Sequence, residues 1–424
     1  MKTAQSNSSA LEPLKPITRL IHPQKIVPNT FNAVQPAVYR ASTVFFESTK
    51  AMRKRHWHDE YDYSYGLHGT PTTYALADKM AQLEGGDYCV LAPSGLSAIS
   101  LVNFSFLSHA DEVWFPENVY GPNKDLIQQL QQQFGIGYQL YDPLNSDSFR
   151  PNSHTKLIWL EAAGSVTLEF PDLCGLVKKA QAAGVLTALD NTWGAGLAFC
   201  PFDFSAEHLS VDISVHALTK YPSGGADILM GSIVTKQRDL HLAVLRTHAL
   251  QGIGVAGDDA ERVIRSLPSL ELRYQQQDKN TKFLARWLEQ QDCIAQVLHP
   301  ALPHAAGHEF WQQVCAQFDV ASDHKSGTAA GLVSIIFKPE YELAQIDAFC
   351  DALQLFKLGF SWGGPVSLVM PYDLSTMRQT NNSNKNHSQF ASPYLVRLCI
   401  GLEAVEDLQT DLAQAFSAFV TSRY

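Results

Sequence analysis

The stretch "VDISVHALTKYPSGGADILMGSIV" (residues 211–234) carries a single lysine, Lys220, between an apolar run and a glycine-rich turn. By composition "VDISVHAL" (211–218) and "ILMGSIV" (228–234) read as strands, so Lys220 sits at or just beyond the carboxyl end of a strand. An amine is costly to bury without a partner, and its place here calls for a chemical use.

Upstream, short apolar runs alternate with helix-length amphipathic ones. "YCVLAP" (88–93) precedes a helix from Ser94 to about Leu107, and "EVWFPE" (112–117) precedes a Gln-rich helix over 123–133. "GYQLYD" (137–142), "KLIWLEA" (156–162), the helix "DLCGLVKKAQAAG" (172–184) and "VLTALDNT" (185–192) follow. Near-continuous apolar strands separated by helices predict an α/β fold, a mostly parallel sheet with helices on both faces. Ligands of such sheets bind beyond the carboxyl ends of the strands. After about residue 260 a long helical stretch leads into "CIAQVLHP", "GLVSIIFK", "VSLVMP", "YLVRLCIG" and an amphipathic helix over 404–420, a smaller α+β domain. The expected organisation is an N-terminal arm (1–62) lying on another surface, a large domain (63–262) and a small C-terminal domain (263–424). The run 378–392 reads as a polar loop.

The length of 424 residues and the 45% apolar content suit a large core. A formal net charge of −10 and a pI near 5.8 lack the basic field that nucleic acid or anionic membrane requires. The N-terminus has no continuous apolar signal region, and no segment reaches about 18 apolar residues without a charge, which predicts a cytoplasmic protein. Seven cysteines are scattered without CxxC spacing, as expected of buried small hydrophobes in a reducing compartment. "GIGVAG" (252–257) spells a dinucleotide fingerprint, with Asp278 at the distance of a ribose-binding acid. The preceding "HLAVLRTHALQ" spaces Leu242, Leu245 and Ala249 as a helix rather than the required strand. It reads as a helix-to-helix loop. His56 and His58 in "HWHDE" (56–60) lack a third ligand nearby, so no metal site is expected.

Three ionisable groups collect at strand ends: Lys220, Asp190 after "VLTAL", and Glu161 closing "KLIWLE". "PSGLSAI" (93–99) adds a turn into a helix start, with Ser94 as N-cap and the N–H groups of Gly95 and Leu96 open to an anion. Each part alone has a bland reading, a solvated lysine or a turn aspartate. Together they fit an amine for a Schiff base, an acid for a pyridinium nitrogen and a cradle for a phosphate.

On the segments "YGLHGTPTTYALADKMAQLEGG" (65–86), "PSGLSAI" (93–99), "NVYGP" (118–122), "LEAAGSVTLEFPDL" (160–173), "LDNTWGAG" (189–196), "ALTKYPSGGADILMGS" (217–232), "HPALP" with "GHEFW" (299–311), "FSWGG" (360–364) and "VRLCIGLE" (396–403), the chain resembles the Cys/Met-metabolism group of fold-type I pyridoxal 5′-phosphate (PLP) enzymes. Within that group the resemblance is to the cystathionine β-lyase branch. It implies that Lys220 holds PLP, Asp190 pairs with its ring nitrogen and Tyr120 stacks on the ring. Gly95, Leu96 and Thr219 would hold the phosphate, and Tyr65 would reach in from a neighbouring subunit. Arg397, with Ser361 and Trp362 beside it, would bind the substrate's α-carboxylate. An ion pair closing a domain interface is the alternative for Arg397, and core packing for Tyr120 and Trp362.

The implied reaction is a carbon–sulfur lyase reaction, α,β-elimination on cystathionine or a related sulfur amino acid, giving homocysteine, pyruvate and ammonia. Lys220 moves the α-proton and Tyr120 assists. γ-Elimination or γ-replacement on the same scaffold stays open, as does a catalytically silent PLP-binding protein. The implied assembly is a homo-oligomer, a dimer of dimers. Two departures stand out: Leu67, followed by His68, replaces an arginine that clamps the phosphate in the family, and Gly224–Gly225–Ala226–Asp227 replaces Gly-His-Ser-Asp. An arginine–phosphate contact contributes roughly 1.5–3 kcal/mol, so its loss is expected to weaken cofactor retention unless another cation, such as His68, Arg40 or an arm residue, replaces it.

Overall fold

A computed structural model describes residues 15–21, 34–56, 63–316, 327–377 and 390–421. Seven strands form the larger sheet: β1 (Tyr88–Ala92), β2 (Glu112–Pro116), β3 (Gly137–Tyr141), β4 (Thr155–Glu161), β5 (Leu186–Asp190), β6 (Ile213–His216) and β7 (Gly231–Thr235). Their order is β1-β7-β6-β5-β4-β2-β3. From β6 to β3 every neighbour pair is parallel, while β7 runs antiparallel to both β1 and β6. The reversal has a simple cause. Residues 217–230 contain no helix, and without a crossover the chain can return only antiparallel.

Alternate residues of these strands enter two separate cores. Val113, Phe115, Leu157, Trp159, Ala188, Ile213 and Val215 join one, whereas Trp114, Ile158, Leu160, Leu189 and Val234 join the other. The period of two sends successive side chains to opposite faces, and both faces are covered. Helix Gly95–Phe106 covers the first with Ala98, Ile99, Leu101 and Val102. Helices Pro71–Glu84 and Leu173–Ala183 cover the second. The fold is therefore α/β with helices on both faces.

The smaller sheet comprises β8 (Ile294–Leu298), β9 (Leu332–Phe337), β10 (Lys357–Leu358), β11 (Leu368–Asp373) and β12 (Tyr394–Cys399), in the order β10-β11-β12-β9-β8. On central β12, Val396 and Leu398 face the core of this sheet with Ile346, Phe349 and Leu412. Arg397 and Cys399 have the opposite parity, and Cys399 joins the core of the larger sheet. Parity alone thus turns Arg397 away from its own core and toward Lys220.

"GIGVAG" lies between helices Arg238–Gln251 and Gly257–Ser266, so no strand precedes it. Part of the N-terminal segment packs on its own subunit: helix Pro16–Ile21 buries Leu20 in the large core, and the Leu20 carbonyl accepts from Lys79 Nζ. Most of the polar run 378–392, and His58 of "HWHDE", lie outside the described residues. All seven cysteines are free, six of them buried. No described helix is long and apolar enough to cross a membrane.

Burial holds two histidines neutral. His248 is lowered to about 4 and His299 to about 3, and each has one buried ring nitrogen without a hydrogen-bond partner among the described residues. Below the ordinary histidine value the unfolded chain therefore binds more protons than the folded one, and stability falls as pH falls. The variants H248Q and H299Q should each flatten the loss of unfolding free energy between pH 7 and pH 5. Urea unfolding at the two pH values measures this, and wild-type slopes in both variants would contradict it.

Candidate active site

The register of the large sheet gathers the acids. Glu161 ends β4 and Asp190 ends β5, and the two are direct partners across the strands. Both share the parity of Trp159 and Ala188, on the face covered by helix Gly95–Phe106. Each is partly open to the cleft at the strand ends. Asp190 Oδ1 accepts from the Thr192 N–H at 3.0 Å. Burial raises its pKa, opposed by hydrogen bonds from Thr192 and by the fields of His216 and Lys220. A cation placed against it would reverse that rise, because the penalty falls on an uncompensated charge. Burial, then the neighbouring Asp190, drives Glu161 well above the usual carboxylate range.

Lys220 lies four residues beyond β6, in the turn that returns as β7. Its Nζ donates to Ser361 Oγ at 2.7 Å and stands 5.2 Å from the Trp362 ring centre. Desolvation first, and then Arg397, bring its pKa down to about 8, against the pull of Cys399 and Asp190. A fraction of the amine is thereby neutral near physiological pH, far more than for an ordinary lysine, as a nucleophile or a base requires. Ser361 holds its hydroxyl there from a left-handed backbone, φ 83°, which a non-glycine residue adopts at a cost. Behind Lys220, Tyr221 is anchored against Tyr274 and Trp362, and its hydroxyl accepts from the Gly331 N–H at 2.8 Å.

Tyr120 begins helix Gly121–Phe134. Its N–H donates to Glu161 Oε2 at 2.8 Å, and the residue is 39% exposed. Burial, Asp190 and Glu161 raise its hydroxyl above the ordinary phenol value, while Arg397 lowers it. Arg397 lies over the ring of Tyr372 at 5.3 Å. Electrostatic proximity thus ties Lys220, Asp190, Tyr120 and Arg397 into one cleft. Tyr372, on β11, was not singled out from the sequence. "VSLVMPYD" shows only an apolar strand, and nothing local reveals which face its last residues take.

The anion cradle is present in backbone form. Ser94 Oγ caps the Ser97 N–H, while the N–H groups of Gly95 and Leu96 precede any intrahelical acceptor. The cradle is tight: a Cβ at Gly95 would meet that of Ala217 at 2.6 Å, and one at Gly231 would meet the Ser94 carbonyl at 2.4 Å. Thr219 is differently engaged. Its Oγ1 donates to the Met230 carbonyl at 3.2 Å and accepts from the Met230 N–H at 3.1 Å, so this hydroxyl stitches the turn. Tyr65 contacts Ser42 and His68 and bridges Thr43; these are not the Lys220 cluster.

Leu67 lies against Gly254, where an added Cβ would come within 3.1 Å of its Cδ1. Neither cation near it is well suited to compensate from this subunit. His68 is lowered by burial and Arg55 and contacts Ser64 Oγ. Arg40 grips Asp258 through two nitrogens.

An amine of lowered pKa, a strand-end carboxyl, a half-open aromatic and a glycine-lined helix start fit a pyridine aldehyde phosphate. The comparisons agree. The profile of the Cys/Met metabolism PLP-dependent enzyme family matches residues 17–417, and the chain belongs to that family, whose cofactor is PLP. It is 35% identical over 407 residues to a putative cystathionine beta-lyase of Rhizobium johnstonii, covering 95% of this chain and 96% of that one. It is 32% identical to cystathionine beta-lyase MetC of Escherichia coli, with 95% and 98% covered. Among solved structures, cystathionine gamma synthase of Xanthomonas oryzae pv. oryzae in complex with cystathionine superposes with TM-score 0.82 at 26% identity, over 97% of this chain and 100% of that one.

Two outcomes follow. G95V should weaken PLP binding because the added side chain collides with Ala217; titration of cofactor-free protein measures it, and unchanged affinity would contradict the cradle. Lys220 costs the cofactor-free protein stability below pH 8, and the cost fades as pH rises from about 8 toward the ordinary lysine value, because the unfolded chain then holds the extra proton. K220M should therefore be more stable than wild type at pH 7, with a gap that narrows at pH 9 to 10. A gap that widens would show the amine is not strained.

Proposed function

We propose that the protein is a carbon–sulfur lyase that performs α,β-elimination on cystathionine, with water giving homocysteine, pyruvate and ammonia. The carrying observation is the pairing of a lysine lowered to about 8 with Arg397 turned into the same cleft. In this reading the Gly95 and Leu96 N–H groups hold the cofactor phosphate, joined by Thr219 once its hydroxyl turns from Met230, while Asp190 holds the ring nitrogen, Tyr120 a ring face and Lys220 the aldehyde carbon. Tyr65 reaches the site of a second subunit in a homo-oligomer, a dimer of dimers. The arm, large and small domains divide at 1–62, 63–262 and 263–424, and the protein works in the cytoplasm.

Bound PLP supplies the electron sink that lets the substrate's Cα–H ionise. Arg397 docks the α-carboxylate through a paired, charge-assisted contact. Ser361 keeps the Lys220 Nζ near the substrate's Cα. Lys220, neutral in an appreciable fraction near pH 8, accepts the α-proton. Tyr120 retains its own proton because its hydroxyl lies above the ordinary value, and so, with Lys220, it can deliver a proton to the departing sulfur.

The γ-synthase likeness supports a second reading, since β- and γ-chemistry begin with the same α-proton removal. Pyruvate released from cystathionine by the purified holoenzyme is the expected product; 2-oxobutyrate alone would establish γ-elimination instead. K220A should lose turnover and the absorbance band near about 420 nm that borohydride removes. Retained turnover in K220A would overturn the role of the lysine. A wild-type protein that binds PLP but turns over no sulfur amino acid would establish the silent binding protein.

A further inference from the structure

Glu84 is fully buried at the last position of helix Pro71–Glu84. Both facts are unfavourable to a carboxylate, through lost hydration and through the negative end of the helix dipole. Three donors converge on it. Asn191 Nδ2 reaches Oε2 at 2.9 Å, Ser214 Oγ reaches the same oxygen at 2.6 Å, and His216 Nδ1 meets Oε1 at 3.2 Å. Gly194 makes room for this arrangement, since a Cβ there would lie 2.3 Å from Asn191 Oδ1.

These donors come from the two strand ends that carry the site. Asn191 directly follows Asp190, and Ser214 and His216 lie on β6, whose continuation bears Lys220. Asn191 and His216 side chains occupy the sheet face opposite Asp190, with the parity of Leu189 and Val234. The two ends are further joined by Asn191 N–H to the Val215 carbonyl at 2.8 Å and by Ala217 N–H to Thr192 Oγ1 at 2.9 Å. His216 Nε2 is buried and without a hydrogen-bond partner among the described residues. A positive charge on this ring would favour ionised Asp190.

We propose that Glu84 is a positioning residue for the cofactor site, clamping the ends of β5 and β6 from behind so that Asp190 and Lys220 hold their relative placement. This rests on the assignment of PLP to that cleft. Glu84 touches neither cofactor nor substrate in this scheme; it acts through Asn191 and His216. A glutamine at 84 keeps the shape but offers one acceptor oxygen where three donors point.

The test compares wild type, E84Q, N191A and, as a control, D411N. Asp411 is also buried and accepts three backbone N–H groups at Gln354, Leu355 and Phe356, within the small domain. The readouts are the PLP dissociation constant of cofactor-free protein, the position of the band near about 420 nm and the melting temperature. E84Q and N191A should weaken PLP binding by at least about tenfold, the scale of losing an outer support of a built site, and shift the band. D411N should lower the melting temperature with PLP affinity unchanged. Wild-type affinity and spectrum in both E84Q and N191A would overturn the proposal; if E84Q does not fold, N191A decides alone. A wild-type protein that forms no band would instead overturn the PLP reading of the cleft itself.

Discussion

Burying an amine is the constraint on which this structure turns. Lys220 sits where desolvation disfavours its charge and Arg397 repels it, so only specific surroundings make the position tolerable. Ser361 accepts its hydrogen bond, and the Trp362 ring lies within cation–π reach. Nearby Asp190 supplies opposite charge. The amine that results is poorly satisfied as a cation, which is the property a nucleophile and proton carrier needs.

The carboxyls obey a complementary rule. Asp190 and Glu161 are adjacent across parallel strands, and two negative charges at that separation in a partly dry cleft repel one another. Burial raises both, and for Glu161 the charge of Asp190 adds to the rise. Glu161 finds use as an acceptor for the Tyr120 N–H, which sets the aromatic over the cleft. Asp190 remains the group best able to answer a cationic ring nitrogen, since a positive partner would relieve the penalty of its burial.

Two sheets of different character meet at this cleft. The larger sheet supplies strand ends, a helix start and the lysine turn. The smaller one supplies Arg397, Ser361 and Trp362 from a central strand and a neighbouring turn. Arg397 reaches the cleft only because β12 alternates: Val396 and Leu398 belong to one core, leaving Arg397 on the other side. The departure at Leu67 also acquires a structural meaning. Its side chain packs on the loop before helix Gly257–Ser266, and Arg40, held by Asp258, is engaged elsewhere.

The sequence alone determined the two-faced sheet, the strand ends at Glu161 and Asp190, the capped helix at Ser94 and the isolation of Lys220, because each is written in local periodicity, capping chemistry or residue type. It also disposed of "GIGVAG", whose helical approach is legible in spacing. The antiparallel return of β7 was not legible, since strand direction depends on what the chain does between strands. Neither were Glu84 and Tyr372, which look like an ordinary helix-end acid and a strand aromatic until folding brings Asn191, Ser214 and His216 around the first and Arg397 over the second. Thr219 shows the same limit, because its hydroxyl is committed to Met230 by a turn whose closure no local pattern specifies. Tertiary structure decided these points because pairwise distance and solvent exclusion, which set hydrogen bonds and pKa values, arise between segments far apart in the chain.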